Sequence, residues 1–153
     1  MNNRKVRGAT CKEFNGVKFR SGLELSFYKK LLESGLDFSY ESEKVLLWEG
    51  FKPSRVKVFC PDKIGTGRYG KTLEDQSHKK VLNITYTPDF IVRKGNNVIY
   101  VEIKGNPNDT YPRTKKMFLR HLEERDDGFN YIFIEPHNIR QMEQCLEIIN
   151  NYE

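Results

Sequence analysis

Apolar and polar residues alternate with a strand-like period on both sides of Gly95-Asn96. This dipeptide is typical of a two-residue hairpin turn, and the turn fixes which residues of the flanking runs lie opposite each other. Asp89 is then directly opposite Glu102, and Lys104 follows on the same face because strand side chains alternate. The other face is apolar and is predicted to be part of the core: Pro88, Phe90, Val92, Ile99, Val101 and Ile103.

The polar face of this hairpin has the composition of a metal site. Directly opposed side chains have Cβ atoms roughly 5 Å apart, and two like charges placed in this way repel each other. A cation between Asp89 and Glu102 would remove the repulsion, and Mg²⁺ is usually held by carboxylate, water and phosphate oxygens. A lysine beside such a site can orient or deprotonate an attacking water. The pattern favours metal-assisted phosphodiester hydrolysis; the alternative is a surface hairpin with solvated Glu102 and Lys104.

The capping-box sequence Ser21-Gly-Leu-Glu24 predicts a helix that runs to about Ser34, with Gly35 as its left-handed stop. One side of this helix is apolar: Leu23, Leu25, Phe27, Tyr28, Leu31 and Leu32. Glu24 lies in the middle of that side. A capping-box glutamate needs no other role, but an acid centred on a buried face also fits a cleft or a partner surface, so Glu24 is a candidate site residue.

The remaining pattern predicts one α/β domain over residues 1–153. Strands are expected at 44–48, 54–60, 83–93, 97–104 and 129–134. A helix is expected near Pro112, capped by Asp109 or Thr110, with Met117, Phe118 and Leu122 pointing inward. A last helix over about 138–150 is expected to point Ile139, Met142, Cys145, Leu146 and Ile149 inward. Residues 61–80 lack periodicity and predict a loop or a hairpin insertion.

The composition favours a globular protein without a membrane span. Hydrophobic residues are 37% and charged residues 31% of the chain. Apolar runs are too short for a membrane helix or a secretory signal, so a cytoplasmic protein is expected. The three cysteines match neither a disulfide framework nor a zinc site.

The net charge of +5 is concentrated near the amino terminus, where residues 1–18 are interpreted as a basic arm. The candidate DNA contacts within residues 1–20 are Arg4, Lys5, Arg7, Lys12, Lys18 and Arg20. Such an arm suits phosphate binding, while the alternative is a merely solvated terminus. Further candidate DNA contacts lie in the first turns of the helix near Pro112: Arg113, Lys115 and Lys116. Cations at a helix start oppose the helix dipole, so their presence there indicates an anionic ligand.

A second motif, Gly65 to Thr72, matches the Walker A pattern of P-loop proteins. A P-loop joins a buried strand to a long amphipathic helix, whereas residues 73–80 are short and almost wholly polar. A glycine- and lysine-rich loop that contacts DNA, or one that simply moves, fits this stretch better than a nucleotide site does.

Three motifs in order, Phe19–Glu24, Tyr86–Phe90 and Val101–Gly105, resemble the phage endonuclease I family of Holliday-junction resolvases, within the PD-(D/E)XK nuclease superfamily. The resemblance covers residues 14–105. It implies an α/β restriction-endonuclease-like core, in which a mixed central sheet is flanked by helices. It also implies a Mg²⁺-dependent endodeoxyribonuclease, with Mn²⁺ as a substitute, that cuts branched DNA as an intertwined homodimer.

By the same resemblance, Glu24, Asp89, Glu102 and Lys104 are the expected catalytic residues. Asp89, Glu102 and the carbonyl of Ile103 would bind the principal metal, and Glu24 would hold a second metal or its water. The segment between the helix and Tyr86 is longer than in that family. Three alternatives stay open: a related nuclease with another DNA substrate, a DNA-binding protein that retains the fold without catalysis, and a P-loop nucleotide-binding protein.

Overall fold

In the computed structural model the chain forms two compact units. The structure describes residues 11–105 and 110–153. One unit, called here the core unit, includes the described residues up to Val45 and those from Tyr86 onward. The other, called the insertion unit, has Leu46–Thr85 as its described residues. Four residues of the sequence predictions lie outside the described ranges: Arg4, Lys5, Arg7 and Asp109.

The core unit contains three helices and most of the strands. In chain order these are β1 Lys12–Phe14, β2 Val17–Phe19, α1 Gly22–Ser34, β3 Asp37–Tyr40, β8 Phe90–Lys94, β9 Asn97–Val101, α2 Tyr111–Glu123, β10 Asn130–Ile134 and α3 Ile139–Asn151. The insertion unit contains β5 Phe59–Lys63 and β6 Tyr69–Asp75. The chain passes between the units along two paired strands, β4 Val45–Trp48 and β7 Ile84–Tyr86.

A four-stranded mixed sheet in the order β10-β9-β8-β3 lies at the centre of the core unit. β8 and β9 form an antiparallel hairpin in which Lys94 is opposite Asn97, so the predicted register is confirmed. Gly95 has a φ of 56°, a backbone conformation that glycine adopts without strain. β10 runs parallel to β9, and β3 runs antiparallel to β8. The prediction of a mixed α/β fold is therefore confirmed.

Helices cover both faces of this sheet. On one face, α1 and α3 enclose the core with the sheet: Phe27, Leu31, Phe90, Val92, Ile99, Val101, Met142, Cys145 and Ile149. On the other face, the ring of Phe118 in α2 lies 4.7 Å from that of Tyr86 and 5.0 Å from that of Tyr100. The central strands are thus buried on both sides, as is usual where helices flank a sheet.

The predicted bounds of α1 and the predicted start of α3 follow from their caps, whereas Thr110 at the start of α2 makes no side-chain cap hydrogen bond. Ser21 accepts a hydrogen bond from the Glu24 amide at 3.2 Å, and Gly35 ends α1 at a φ of 68°, which confirms both signals. Asn138 caps α3 by accepting from the amide of Gln141. The inward positions of α3 are also confirmed, except that Ile139 is exposed at its first turn. In α1, Leu32 is exposed as well, so the buried side of this helix is narrower than the apolar side that the sequence predicts.

Three strand predictions have wrong bounds. The strand expected at 97–104 already ends at Val101. The strand expected at 83–93 is broken at residues 87–89, because Pro88 has no amide hydrogen to donate to a ladder. The strand expected at 54–60 begins only at Phe59, because its partner β6 ends at Asp75 and the residues before Val58 have no opposite strand among the described residues. Strands β1, β2 and β3 were not predicted, since each has only three or four residues, which is too short for an alternation to be distinctive.

Residues 61–80, expected to be a loop or a hairpin insertion, include most of the antiparallel β5–β6 hairpin. The Walker-like stretch spans the turn of this hairpin, and Lys71 and Thr72 lie within β6. No helix occurs among the described residues 46–85. The strand-to-helix geometry of a P-loop is therefore missing at this motif.

Candidate active site

Four acidic residues lie in one row across the carboxyl end of β9 and β10. Continuing the β3–β8 register by one residue places Glu41 opposite Asp89, and continuing β8–β9 places Asp89 opposite Glu102. The parallel β9–β10 register then places Glu135 beside Glu102. The ladder does continue past the strands, because the Glu41 amide donates to the Asp89 carbonyl at 2.8 Å. We call these four residues the acid row.

The two central members of the row are buried and hydrogen-bonded together. Asp89 is 6% and Glu102 is 3% exposed. The amide of Asp89 donates to Glu102 Oε2 at 3.2 Å, and the amide of Ile103 donates to Asp89 Oδ2 at 2.8 Å. The hydroxyl of Tyr86 donates to the same Oε2 of Glu102. Both carboxylates are therefore held in fixed positions at the point where the hairpin register predicts that they meet.

This proximity makes ionisation of Asp89 unfavourable. Burial raises the pKa of Asp89 to about 8, and repulsion from Glu102 and Glu24 adds to the shift. The hydrogen bond from Ile103 and the charge of Lys104 oppose the shift without cancelling it. Two buried carboxylates that repel each other in this way are a good fit for a hard divalent cation, which would relieve the repulsion.

Lys104 completes the predicted trio. Its Nζ lies 2.5 Å from Glu102 Oε1 and 4.2 Å from the centroid of the Tyr111 ring. Its amide donates to the carbonyl of Pro136 at 3.1 Å, which ties this end of the hairpin to the residues that follow β10. The ammonium group is thus positioned by an anion on one side and by an aromatic face on the other.

Glu24 is buried at the start of α1 within the same unit. It completes the capping box, because Ser21 Oγ donates to Oε1 at 2.9 Å and the Arg20 amide to Oε2 at 3.2 Å. The hydroxyl of Tyr40 also donates to Oε2 at 2.7 Å. Since Glu24 contributes to the raised pKa of Asp89, the two carboxylates of one chain lie within electrostatic reach of each other.

Glu41 is a site residue that the sequence reasoning missed. Burial raises its pKa, the Arg20 guanidinium lowers it, and repulsion from Glu24 and Glu102 raises it further. Arg20 Nη2 lies 2.8 Å from Glu41 Oε1, although the two groups are not aligned as a hydrogen bond. Glu41 reaches the row because β3 pairs with β8. A register between distant strands of this kind leaves no local signal in the sequence.

Glu135, at the other end of the row, has a set of donors of its own. Its Oε2 accepts from Tyr111 at 2.6 Å and lies 2.8 Å from Lys115 Nζ, while Oε1 is 2.8 Å from His137 Nε2. Burial opposes ionisation, but the hydrogen bonds from Lys115, Tyr111 and His137 outweigh it and lower the pKa of Glu135 to about 2. Two acids of the row therefore have opposite tendencies: Asp89 is held toward its neutral form and Glu135 in its ionised form.

Three tyrosines each donate to one of these carboxylates: Tyr40 to Glu24, Tyr86 to Glu102 and Tyr111 to Glu135. Burial and the adjacent carboxylates raise the pKa of all three hydroxyls far above the ordinary tyrosine value. The hydroxyls therefore remain protonated donors near neutral pH. These tyrosines were also missed, although Tyr86 lies inside the motif that contains Asp89.

The predicted DNA contacts differ in their surroundings. Lys12, Lys18, Arg113 and Lys116 are exposed. Arg20 and Lys115 lie close to members of the acid row, at 2.8 Å from Glu41 and from Glu135 respectively. These two cations therefore partly neutralise the row, although Arg20 is itself exposed, whereas the other four are available to an external anion.

Among the described residues, no group of three or more His, Cys, Asp and Glu side chains is arranged so that it could hold a metal ion. The donors present for a metal are the pair Asp89 and Glu102, with Glu24 nearby. Comparison of the chain with family models, curated proteins and solved structures found no match. In the part of the chain that the structure describes, no helix is long and apolar enough to span a membrane.

Proposed function

We propose that this protein is a metal-dependent DNA endonuclease that cuts branched DNA, built on the PD-(D/E)XK core that its motifs resemble. The observation that carries the proposal is the meeting of Asp89, Glu102 and Lys104 at one end of the central sheet. Two buried carboxylates, with an ammonium group in contact with one of them, are groups suited to metal-assisted phosphodiester hydrolysis. Their raised electrostatic energy, visible in the pKa of Asp89, is typical of a functional site.

The residues would divide the work as follows. Asp89 and Glu102, with the carbonyl of Ile103, would hold the principal Mg²⁺ or Mn²⁺, and Glu24 would hold a second ion or its water. Bound metal would polarise the scissile phosphate and supply a hydroxide nucleophile near neutral pH. Lys104 would orient the attacking water. The hydroxyl of Tyr86 and the amide of Ile103 would keep the two carboxylates in place while the charge of the site changes.

Branched DNA as substrate and a homodimer as the active form belong together. Resolution of a four-way junction needs two cuts related by symmetry, and a two-fold dimer provides two symmetric sites. In this chain Glu24 lies within electrostatic reach of its own Asp89. Each site of the proposed dimer can therefore draw all of its acids from one chain.

The test is cleavage of a synthetic four-way junction and of supercoiled plasmid in Mg²⁺, with EDTA as the metal-free comparison. Asp89→Ala and Lys104→Ala should each lower the rate at least about 100-fold, since each removes a metal ligand or a proton-handling group. Asp126→Ala and Lys44→Ala are matched controls, because both residues are exposed in the same unit. Cleavage that persists undiminished in Asp89→Ala would refute the site.

A DNA-binding protein that retains the fold without catalysis is the second candidate, favoured by the lack of a group of three metal-ligating side chains among the described residues. It predicts junction binding without cleavage in either metal. Linear, nicked, mismatched and junction DNA of one sequence, compared in the same assay, would rank the substrates of an active enzyme. Sedimentation of the free protein would test the homodimer.

A further inference from the structure

The insertion unit has an excess of positive charge. Most of its acidic residues interact with other residues of the same unit. It contains eight Lys and Arg residues against four Asp and Glu. Asp62 accepts from Lys79 Nζ at 3.0 Å, and Asp75 Oδ2 lies 3.9 Å from Lys57 Nζ. Glu74 shares a hydrogen bond with Asp62. The remaining cations are therefore only weakly compensated within this unit.

Six of the eight cations are exposed and form no ion pair with any residue that the structure describes: Lys52, Arg55, Lys63, Arg68, Lys71 and Lys80. Three of these are at or near the turn of the β5–β6 hairpin. The turn is closed by a hydrogen bond from the Ile64 amide to the Arg68 carbonyl at 2.9 Å. Gly65 and Gly67 have φ values of 65° and 79°, so a tight bend brings Lys63 and Lys71 onto adjacent strands.

Aromatic side chains are exposed on the same hairpin. Tyr69 is 64% exposed and lies directly opposite Lys63, and Phe59 at the far end is 57% exposed. Surfaces that bind single-stranded nucleic acid combine two components, cations and exposed aromatic rings. The cations contact phosphates and the rings stack on bases. In a perfect duplex the base faces are already stacked, so a ring such as Tyr69 finds a partner only where bases are unpaired.

We propose that the β5–β6 hairpin binds DNA that contains unpaired or splayed bases, with Lys63, Arg68 and Lys71 on the phosphates and Tyr69 stacked on a base. The proposal rests on the proposed function only in taking DNA as the ligand. It gives the insertion a role in substrate choice, since this hairpin would favour branch points and single-stranded arms over continuous duplex.

The hairpin also has an apolar side, where Pro61 lies opposite Leu73 and Phe59 precedes them. A second copy of the chain could cover such a side, but it would bring the unpaired cations of one hairpin toward those of another. Repulsion between two basic surfaces opposes this contact, whereas phosphates neutralise the same charges and release counterions. The charge of the hairpin therefore favours nucleic acid over a second copy.

The test is DNA affinity by fluorescence anisotropy in EDTA, where no cleavage occurs, with a four-way junction, a single strand and a duplex of related sequence as probes. The first variant is K63Q/R68Q/K71Q. Its control is K44Q/R93Q/R140Q, which removes the same charge from three exposed cations of the core unit. Tyr69→Ala and Tyr69→Phe form a second pair that separates the ring from the hydroxyl. Circular dichroism confirms that each variant is folded.

The hairpin triple variant should bind the junction at least about tenfold more weakly than the control. Its log affinity should also fall less steeply with log salt, with a slope about 2 to 3 smaller in magnitude. Tyr69→Ala should weaken single-strand and junction binding by about tenfold, spare duplex binding, and be rescued by Tyr69→Phe. Equal affinities and slopes for the two triple variants would overturn the proposal. A changed sedimentation coefficient with unchanged DNA affinity would overturn it too, in favour of a protein interface. Absence of wild-type cleavage would refute the endonuclease alone, because binding is measured without metal.

Discussion

Substitution of Asp89 by Asn should stabilise the metal-free protein. Asn keeps the oxygen that accepts the Ile103 amide, but it removes a carboxyl group whose ionisation is opposed by burial and by the charges of Glu102 and Glu24. Most substitutions of buried residues destabilise a protein. A gain in stability at this position would therefore indicate that the native carboxylate is held there at an energetic cost for another purpose.

The magnitude follows from the pKa of Asp89, which rises from 3.8 to about 8 on folding. Because the folded state then binds more protons than the unfolded state between these two values, the contribution of Asp89 to stability falls as pH rises through that window. The loss is about 2 kcal/mol at pH 5 and about 4 kcal/mol at pH 7, taking 1.36 kcal/mol per pKa unit. Asp89→Asn abolishes this pH dependence.

The assay is urea unfolding in EDTA at pH 5 and pH 7, followed by circular dichroism. The stability difference between Asp89→Asn and wild type should be about 3 kcal/mol larger at pH 7 than at pH 5. Asp126→Asn, which neutralises an exposed acid of the same unit, should show no such difference. Added Mg²⁺ should stabilise wild type at pH 7 and have less effect on Asp89→Asn, since a ligand stabilises the state that binds it.

The reasoning fails if Asp89→Asn is less stable than wild type in EDTA at pH 7, or if the difference between them is the same at both pH values. Either result would mean that burial and the neighbouring carboxylates do not raise the pKa of Asp89 in the folded protein. The case for a cation between Asp89 and Glu102 would then lose its electrostatic basis.

Three further predictions concern other parts of the chain. Tyr111→Phe should lower kcat about tenfold with little change in KM, as measured by cleavage under single-turnover and steady-state conditions. The ring still contacts Lys104 in this variant, but the hydroxyl that bonds to Glu135 is lost. Neither wild type nor Lys71→Ala should bind ATP or GTP in calorimetry, because the Walker-like motif lies on a hairpin. Nucleotide binding by wild type that is lost in Lys71→Ala would contradict this prediction. Phe118→Ala should lower the free energy of unfolding by about 3 to 5 kcal/mol, as measured by urea denaturation, because the ring is fully buried.

Local signals in the sequence predicted much of the core unit. The Gly95-Asn96 turn fixes the β8–β9 register, and the capping box fixes the start of α1, because both depend on residues a few positions apart. The same turn predicts that Asp89, Glu102 and Lys104 lie together. In contrast, the break at Pro88 shows that a proline within an apparent strand outweighs the apolar pattern around it.

The sequence by itself determined the centre of the candidate site, since two strands joined by a tight turn can pair in only one register without exposing their apolar face. Only the tertiary structure decided which further residues join that centre. Glu41 and Glu135 enter the row because β3 and β10 pair with the hairpin strands, and Tyr111 reaches Lys104 because α2 packs on that face of the sheet. Such contacts depend on the order of strands in a sheet, which is set by the burial of the whole core and by no short segment of the chain.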